Sequence, residues 1–394
     1  MHGRRTPVLN QAVSDPCRAQ GSESRQTTMR IGLVIYGSLD TLSGGYLYDR
    51  TLVAVLRADG DAVAIVSLLR RNYLRNLGDN FSSNLRRRLR GLQVDIMLQD
   101  ELNHPSLFLL NRCVREQINC PVVSIVHLLK SSLNYPSWQS SFYRRVERRY
   151  LSGVDGLIYN SATTRREAEH LLSVARAPKP ASLVAYPGSD RLNPQISNEE
   201  LMNRAFDDPL RLLFLGNVIP RKGLHIVLKA LERLPDDQWT LTVVGNPQAR
   251  PFYARAVSRQ IAQAGLAANV QFAGILPDQE LSKCLKASHV LVMPSSYEGY
   301  GIAYAEAMGF GLPAIGTTAG AAGEIITHGR DGFLISPGDT VALASYLTKL
   351  AQNRPRLLEM SVAARDRYRS LPKWKGSMDA IRSFLIELVD DAAF

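Results

Sequence analysis

Cysteine is scarce in the 394-residue chain, and long apolar runs are missing altogether. The four cysteines have no metal-ligand spacing, so we expect a reduced, cytoplasmic setting without disulfides: Cys17, Cys113, Cys120 and Cys284. No apolar run approaches the ~18 residues that a membrane-spanning helix needs. Residues 1–28 are polar and lack the apolar core of a secretory signal. That composition indicates a disordered N-terminal extension or a stretch upstream of the natural start.

One fingerprint of another enzyme class is missing, and a second occurs only in a turn that does not suit it. The loop after the first predicted strand, residues 37–45, reads GSLDTLSGG and does not spell G-x-G-x-x-G, which disfavours an NAD-dependent dehydrogenase. Asp59-Gly60-Asp61 is formally a D-x-D metal motif, but it falls between a helix and a strand. Gly60 then suits a helix C-cap, and the two acids suit a solvated turn. We therefore expect no metal.

Positive charge is in excess and is unevenly distributed, with a net charge of +11. Residues 29–190 hold 21 Lys and Arg against 14 Asp and Glu, whereas residues 191–394 hold 22 against 20. The Arg-rich runs at 86–90 and 144–149 have few aromatic residues between them, so nucleic acid is not the expected partner. Two interpretations stay open: a solvated basic face, or peripheral contact with anionic lipid at the inner face of a membrane.

Short apolar runs alternate with helical patterns along the whole chain, in two similar halves. This alternation predicts an α/β fold: two Rossmann-like, doubly wound parallel-sheet domains that face each other across a cleft. Turn residues gather near residue 190, where the composition also changes. We place the N-terminal domain at 29–190, the C-terminal domain at 191–372 and a final helix at 373–394.

The most informative stretch is residues 290–316, which read as strand, loop, helix, turn and strand. Gly299 and Gly301 leave room for a ligand to approach the backbone, and the first amides of the helix favour an anion such as phosphate. Glu298 and Glu306 flank this cradle, and a carboxylate can accept hydrogen bonds from the diol of a ribose or another sugar. The pattern favours a nucleotide-sugar site over a solvated helix with two surface glutamates.

A second candidate site lies in the turn at residues 216–223, which reads GNVIPRKG. Arg221 and Lys222 stand between a predicted strand and a predicted helix. Cations at a helix start oppose the helix dipole, which favours a functional role for them. A diphosphate is the ligand that two such cations suit.

The N-terminal half offers two polar groups at the carboxyl ends of predicted strands. His127 directly follows the strand 122–126, where it could contact a sugar hydroxyl or act as acid or base. A satisfied core histidine is the alternative. After the strand 94–98, a polar loop offers candidate acceptor-binding residues: Asp100, Glu101, Asn103 and His104. An ordinary polar loop is equally consistent with this pattern.

Taken together, these motifs resemble those of glycosyltransferase family 4, retaining enzymes with the GT-B fold. The resemblance spans residues 30–394 and is most specific in EGYGIAYAE, residues 298–306. The turn at 216–223 is similar to the family's phosphate-binding G-R-x-x-x-x-K-G; Lys222 matches its Lys, whereas Asn217 occupies the usual Arg position. In the family a cleft His also commonly follows the corresponding strand, as His127 does here.

The resemblance implies transfer of a sugar, such as a hexose, from a nucleotide-diphosphate sugar to an unidentified acceptor, without a metal or other cofactor. His127, Lys222 and Glu298 are then the expected catalytic residues. The expected donor-binding residues are Gly44, Gly45, Arg221, Lys222, Gly299, Tyr300, Gly301, Ile302 and Glu306. In this fold the final helix crosses back to the N-terminal domain. A phosphorylase or epimerase on the same fold, and a non-catalytic nucleotide-sugar binder, are the alternatives.

Overall fold

The computed structural model describes residues 28–392, except 116, 118–119 and 175–178. The extension predicted over residues 1–28 therefore lies outside the described residues, apart from its last position.

The described strands form two six-stranded parallel sheets, which confirms the predicted α/β architecture. The first sheet has the order β2-β1-β3-β4-β5-β6, with β1 Arg30–Tyr36, β2 Ala62–Leu68, β3 Ile96–Asp100, β4 Val122–Val126, β5 Gly156–Tyr159 and β6 Ala181–Val184. The second has the order β12-β11-β10-β7-β8-β9, with β7 Leu210–Leu215, β8 Trp239–Val244, β9 Val270–Gly274, β10 Val290–Val292, β11 Ala314–Thr317 and β12 Gly332–Ile335.

Helices cover both sheets. In the first domain they are α1 Gly44–Ala58, α2 Tyr73–Leu77, α3 Ser83–Arg90, α4 His104–Leu107, α5 Leu110–Arg115, α6 Ser137–Leu151 and α7 Ala162–Ser173. In the second they are α8 Asn198–Phe206, α9 Leu224–Leu231, α10 Pro251–Gln263, α11 Asp278–Ala287, α12 Ile302–Gly309, α13 Ala322–Ile325, α14 Thr340–Gln352 and α15 Arg354–Ser370. The last helix is α16, Trp374–Ala392.

Burial explains why the central strands could be predicted from the sequence. Every residue of β3, β4 and β10 is buried, because helices cover both faces of a parallel sheet, and β4 and β10 are accordingly almost wholly apolar. The edge strands β2 and β9 are partly exposed along their length.

The carboxyl edges of the two sheets meet across the cleft. All strands within a sheet are parallel, so the loops that follow them gather at one edge, the usual ligand side of such sheets. Asn217 Nδ2 in the second domain donates to the carbonyl of Leu42 in the first at 2.9 Å. Thr164 Oγ1 in the first domain donates to the carbonyl of Gly299 in the second at 3.2 Å.

The final helix packs on the first domain. The ring of Trp374 lies 5.8 Å from that of Tyr48, and Phe384 also packs against the core under the first sheet. The Trp374 amide donates to Asp190 Oδ1 at 2.9 Å. This bond joins the segment that leaves the first domain, at Asp190, to the segment that returns to it, at Trp374.

The structure corrects one detail of the D-x-D turn. Asp61 was expected to be solvated, but it is buried and accepts hydrogen bonds from the Met29 amide at 2.9 Å and from Arg382 Nε at 2.8 Å. The turn lies under α16, which brings an arginine from 321 residues away, and no local pattern signals that contact.

We expect Trp374→Ala to destabilise the first domain by about 3–5 kcal/mol, because it removes a large buried side chain that anchors α16. Urea unfolding followed by circular dichroism measures this. The matched control is Trp138→Ala, since Trp138 is 72% exposed against 8% for Trp374. That control should change the unfolding free energy by less than about 0.5 kcal/mol. Equal effects of the two substitutions would contradict the anchoring role.

Candidate active site

Glu298 lies in the loop between β10 and α12 and is paired with both predicted cations. Its Oε1 is 2.8 Å from Lys222 Nζ and 3.2 Å from Arg221 Nη1. Burial opposes ionisation of Glu298, but the two cations outweigh it and hold the pKa of this carboxyl at about 2. The carboxylate is therefore anionic at neutral pH, and the two sequence motifs form one charged cluster.

The cations come from the turn that follows β7. Arg221 also donates through Nη1 to the carbonyl of Tyr297 at 2.7 Å, which fixes its guanidinium beside the glutamate. Arg221 thus brings a second positive charge beside Lys222. Asn217, at the usual Arg position, instead bonds to Leu42 across the cleft, and its Oδ1 accepts from the Asn246 amide at 3.3 Å. It ties loops together and carries no charge.

Glu306 is buried on α12 and is held by Arg191, which was not among the site residues predicted from the sequence. Arg191 Nε donates to Glu306 Oε1 at 2.8 Å, and the same guanidinium pairs with Asp278 at the start of α11. Burial raises the pKa of Glu306, and the charge of Arg191 counteracts this. A buried carboxylate signals that a cation is needed, but the sequence does not indicate which one, since Arg191 stands 115 residues away.

His127 stands at the end of β4 and forms a buried ion pair that was also not foreseen. Its Nε2 lies 3.0 Å from Oδ1 of Asp49, a fully buried residue of α1. Burial alone would lower the pKa of His127, but the charge and hydrogen bond of Asp49 raise it to about 9. A Cβ on Gly45 would lie 3.2 Å from the imidazole, so this glycine packs closely on the ring.

The donor loop and the end of β4 are in direct backbone contact. A Cβ on Gly299 would lie 2.0 Å from the carbonyl oxygen of His127, so only glycine fits there. Asn160 Nδ2 donates to the same oxygen at 2.9 Å. This contact brings the histidine of the first domain next to the Glu298 loop of the second.

The remaining donor-site residues lie at the same junction. Ile302, the first residue of α12, packs against the cores of both domains, and its Cδ1 lies 3.5 Å from where a Cβ on Gly44 would be. Gly301 precedes it with φ +103°, which glycine adopts without strain. The Tyr300 ring is buried 5.7 Å from that of Tyr186.

The four residues predicted to bind the acceptor are all buried. The strand expected at 94–98 is β3, Ile96–Asp100, so Asp100 ends the strand and the other three follow it. Asn103 Nδ2 donates to the carbonyl of Val34 at 2.7 Å, and His104 Nε2 is 3.0 Å from the hydroxyl of Tyr73, so both hold the loop in place. The carboxyl group of Asp100 lies within 4.8 Å of His127, whereas that of Glu101 is 2.9 Å from Nδ1 of His104. Burial raises the pKa of Asp100 to about 7 and that of Glu101 to about 8.

Two family models match the chain, one in each domain. "Glycosyltransferase Family 4" matches residues 48–179, and "Glycosyl transferases group 1" matches residues 198–367. A D-inositol 3-phosphate glycosyltransferase of Xylanimonas cellulosilytica is 28% identical over 229 residues, 56% of this chain and 54% of that protein. The chain thus spans about half the length of the curated relatives it matches.

Solved structures share the fold at low sequence identity. Sucrose-phosphate synthase of Thermosynechococcus elongatus superposes with a TM-score of 0.77 at 19% identity, over 92% of this chain and 99% of that one. Anabaena HepE, solved in complex with UDP and glucose, gives 0.70 at 19% identity over 91% and 99%. Both have the two-sheet architecture described above.

We expect His127 to titrate near pH 9 and its pKa to fall by at least about one unit in Asp49→Asn. NMR of the His Cε1 protons measures both values, and His127→Gln assigns the signal. The folded pKa is raised above the ordinary 6.5, so the pair stabilises the fold fully below pH 6.5. That contribution is lost as the pH rises through 9. An unchanged His127 pKa in the variant would show that Asp49 does not set it.

Proposed function

This chain belongs to glycosyltransferase family 4, and we propose that it is a retaining, metal-independent enzyme that transfers a sugar from a nucleotide-diphosphate sugar to an acceptor hydroxyl. The observation that carries the proposal is the cluster of Lys222, Arg221 and Glu298, whose loop contacts the backbone of His127 at Gly299. Two cations at the start of the donor site suit a diphosphate, and a protonated histidine suits a sugar oxygen.

The donor would bind mainly to the second domain. Its diphosphate would compete with Glu298 for Lys222 and Arg221, and the first amides of α12 would add further hydrogen-bond donors. Glu298, released in part from its cations, would accept a hydrogen bond from a hydroxyl of the sugar. Glu306, held by Arg191, would accept from the ribose. The two cations neutralise the leaving diphosphate, so no metal is needed.

The reaction would take place on one face of the sugar. The bond between the anomeric carbon and the diphosphate breaks, and the acceptor oxygen bonds to the same carbon from the same side. The acceptor proton passes to the departing phosphate oxygen. His127, kept protonated by Asp49, would donate to a sugar hydroxyl and hold the ring in place. We prefer this scheme to a covalent Glu298 intermediate, because we assign Glu298 to a hydroxyl of the donor sugar and not to its anomeric carbon.

We also propose that the acceptor side of the cleft contacts an anionic membrane. No helix among the described residues is long and apolar enough to cross a bilayer. Large apolar side chains are nevertheless exposed after β2 and after β4, at the cleft edge of the first sheet: Leu69, Leu74, Phe81, Trp138 and Phe142. The rings of Tyr73 and Phe142 are 6.0 Å apart and join the two segments. Arginines of α3 flank this apolar rim, since Arg88 bonds to Ser67 at the end of β2.

Apolar side chains beside arginines at a cleft edge suit a lipid surface, because the apolar groups insert and the cations meet the headgroups. An acceptor linked to lipid would then reach the cleft without leaving the membrane. The protein would act in the cytoplasm, peripherally at the inner face of the membrane.

We expect Lys222→Ala to lower kcat/KM for the nucleotide sugar at least ~100-fold, because a preorganised charge on the leaving group is lost. A screen of UDP, GDP and ADP sugars by thermal shift first identifies the donor, since a ligand raises the melting temperature. The control is Lys229→Ala, an exposed lysine on α9. Activity should survive EDTA, because the two cations neutralise the diphosphate without a metal. NMR of the product should show that the anomeric configuration of the donor is retained. Near-normal turnover in Lys222→Ala would remove the phosphate assignment.

We expect the protein to co-sediment with anionic vesicles at low salt and to dissociate at high salt, because salt screens such contacts over about 8–10 Å. Serine at positions 86, 87, 88 and 90 should weaken that binding and leave donor affinity unchanged. The matched control places serine at four exposed basic positions of the second domain: 229, 233, 255 and 259. Equal sedimentation with neutral vesicles, or equal loss in the control, would contradict the membrane contact.

A further inference from the structure

Helix α7 of the first domain is capped by a glutamate of the second domain. The amides of Ala162 and Thr163, the first two of the helix, donate to the two carboxylate oxygens of Glu324 at 3.1 and 2.6 Å. Ser161 Oγ accepts from the next amide, that of Thr164, at 3.0 Å. The first amides of a helix have no partners within it and carry partial positive charge, so a carboxylate suits this place. Glu324 therefore completes a cap that the first domain begins.

The same helix also holds the loop that carries Glu298. Glu167, on α7, accepts hydrogen bonds from the hydroxyl of Tyr297 and from that of Ser132. The carbonyl of Tyr297 in turn accepts from Arg221 Nη1 at 2.7 Å. The residue directly before Glu298 is thus fixed on one side by the first domain and on the other by an arginine of the candidate phosphate site.

The segment that carries Glu324 is bonded to the backbone of Glu298. Gly320 forms a parallel bridge with Glu298, and the Ala321 amide donates to the carbonyl of Glu298 at 2.9 Å. A Cβ on Gly320 would lie 2.1 Å from that carbonyl oxygen, so the two backbones meet there through glycine. Arg367 of α15 donates to the carbonyl of Glu324 at 2.6 Å and fixes the other end of the segment. The backbone that supports Glu298 is therefore the one that places Glu324 on α7.

Only some of these bonds depend on how the two domains meet. The bonds of α7 with Glu324, Tyr297 and Gly299 cross from one domain to the other, so they form only when the two sheet edges are together. The bonds of Arg221 and Ala321 with the loop lie within the second domain and do not need closure. The loop around Glu298 is held from both sides only when it is docked on α7.

We propose that Glu167 and Glu324 are positioning residues for sugar transfer. They dock the second domain on α7 in the closed form and thereby align Glu298 with the donor sugar, so they act through the loop and not on a substrate. Closure of this kind completes a catalytic arrangement that neither domain contains alone. The inference rests on the proposed function, which assigns Glu298 to a hydroxyl of the donor sugar.

A positioning role and a purely structural role predict different kinetics. If the two glutamates only stabilised the fold, a substitution would lower the melting temperature, and the protein that stays folded would turn over the donor normally. If they position the loop, a folded variant binds the nucleotide normally but turns it over slowly. Nucleotide binding is spared because the donor would bind mainly to the second domain, which is complete without closure.

The test measures affinity and turnover on the same full-length protein, with UDP-glucose, GDP-glucose and ADP-glucose as probes. Calorimetry gives the Kd of each nucleoside diphosphate, and its release with water as the acceptor gives kcat. In that hydrolysis the bond from the anomeric carbon to the phosphate oxygen breaks, the water oxygen bonds to the carbon, and a water proton passes to the phosphate. We expect Glu324→Ala to lower kcat at least ~10-fold, the effect of losing a hydrogen bond to a charged group, and to leave Kd within ~2-fold.

Small-angle X-ray scattering with saturating nucleoside diphosphate measures closure without any turnover. We expect Glu324→Ala to have a larger radius of gyration than the unaltered protein, because its domains separate more often. The matched control for both measurements is Glu359→Ala, since the exposed Glu359 pairs with Arg356 within α15. That control should leave kcat, Kd and the radius of gyration unchanged.

The bond between Glu167 and Tyr297 gives a second test with a milder change. Tyr297→Phe removes one oxygen atom and should lower kcat, as should Glu167→Ala. The double variant should be no slower than the slower single variant, because both substitutions break the same bond. The matched control is Glu169→Ala, since Glu169 pairs with Arg165 within α7.

An unchanged kcat or an unchanged radius of gyration in Glu324→Ala would overturn the proposal, and so would a loss of nucleotide affinity equal to the loss of kcat. Affinity of the unaltered protein distinguishes this failure from that of the proposed function. If it binds a nucleoside diphosphate and the variants behave like it, only the positioning role is wrong. If it binds none of UDP, GDP and ADP, the glycosyl transfer itself is wrong.

Discussion

The site depends on one close approach, between the backbone at Gly299 and the carbonyl oxygen of His127. A side chain at Gly299 would place a Cβ 2.0 Å from that oxygen, so the two sheet edges can meet there only through glycine. Asn160 bonds to the same oxygen, and Thr164 bonds to the carbonyl of Gly299. The histidine of one domain and the glutamate loop of the other share a site because of this contact.

Charge pairing is the second constraint. A buried charge is costly unless a partner of opposite sign accompanies it. The structure meets this need three times: Lys222 pairs with Glu298, Arg191 with Glu306 and Asp49 with His127.

Much of the fold could be predicted because its signals are local. The runs 122–126 and 290–292 are buried at every position, and a strand covered on both faces is a continuous apolar run. The positions of Glu298 and Glu306 around a glycine-rich helix start indicated an anion cradle, and Lys222 stood in a turn where a cation is unusual. The D-x-D turn was misread at Asp61, because its partner Arg382 comes from the far end of the chain.

The sequence by itself determined the alternation of strands and helices, the family resemblance and the residue types that bear chemistry, since apolar periodicity, turn chemistry and short motifs act over a few residues. The tertiary structure alone decided which groups are paired. Asp49 and His127 are 78 residues apart, and Arg191 and Glu306 are 115 apart. A buried carboxylate or imidazole requires a partner, but only the packing of distant segments selects it. The pKa of His127 was set in the same way.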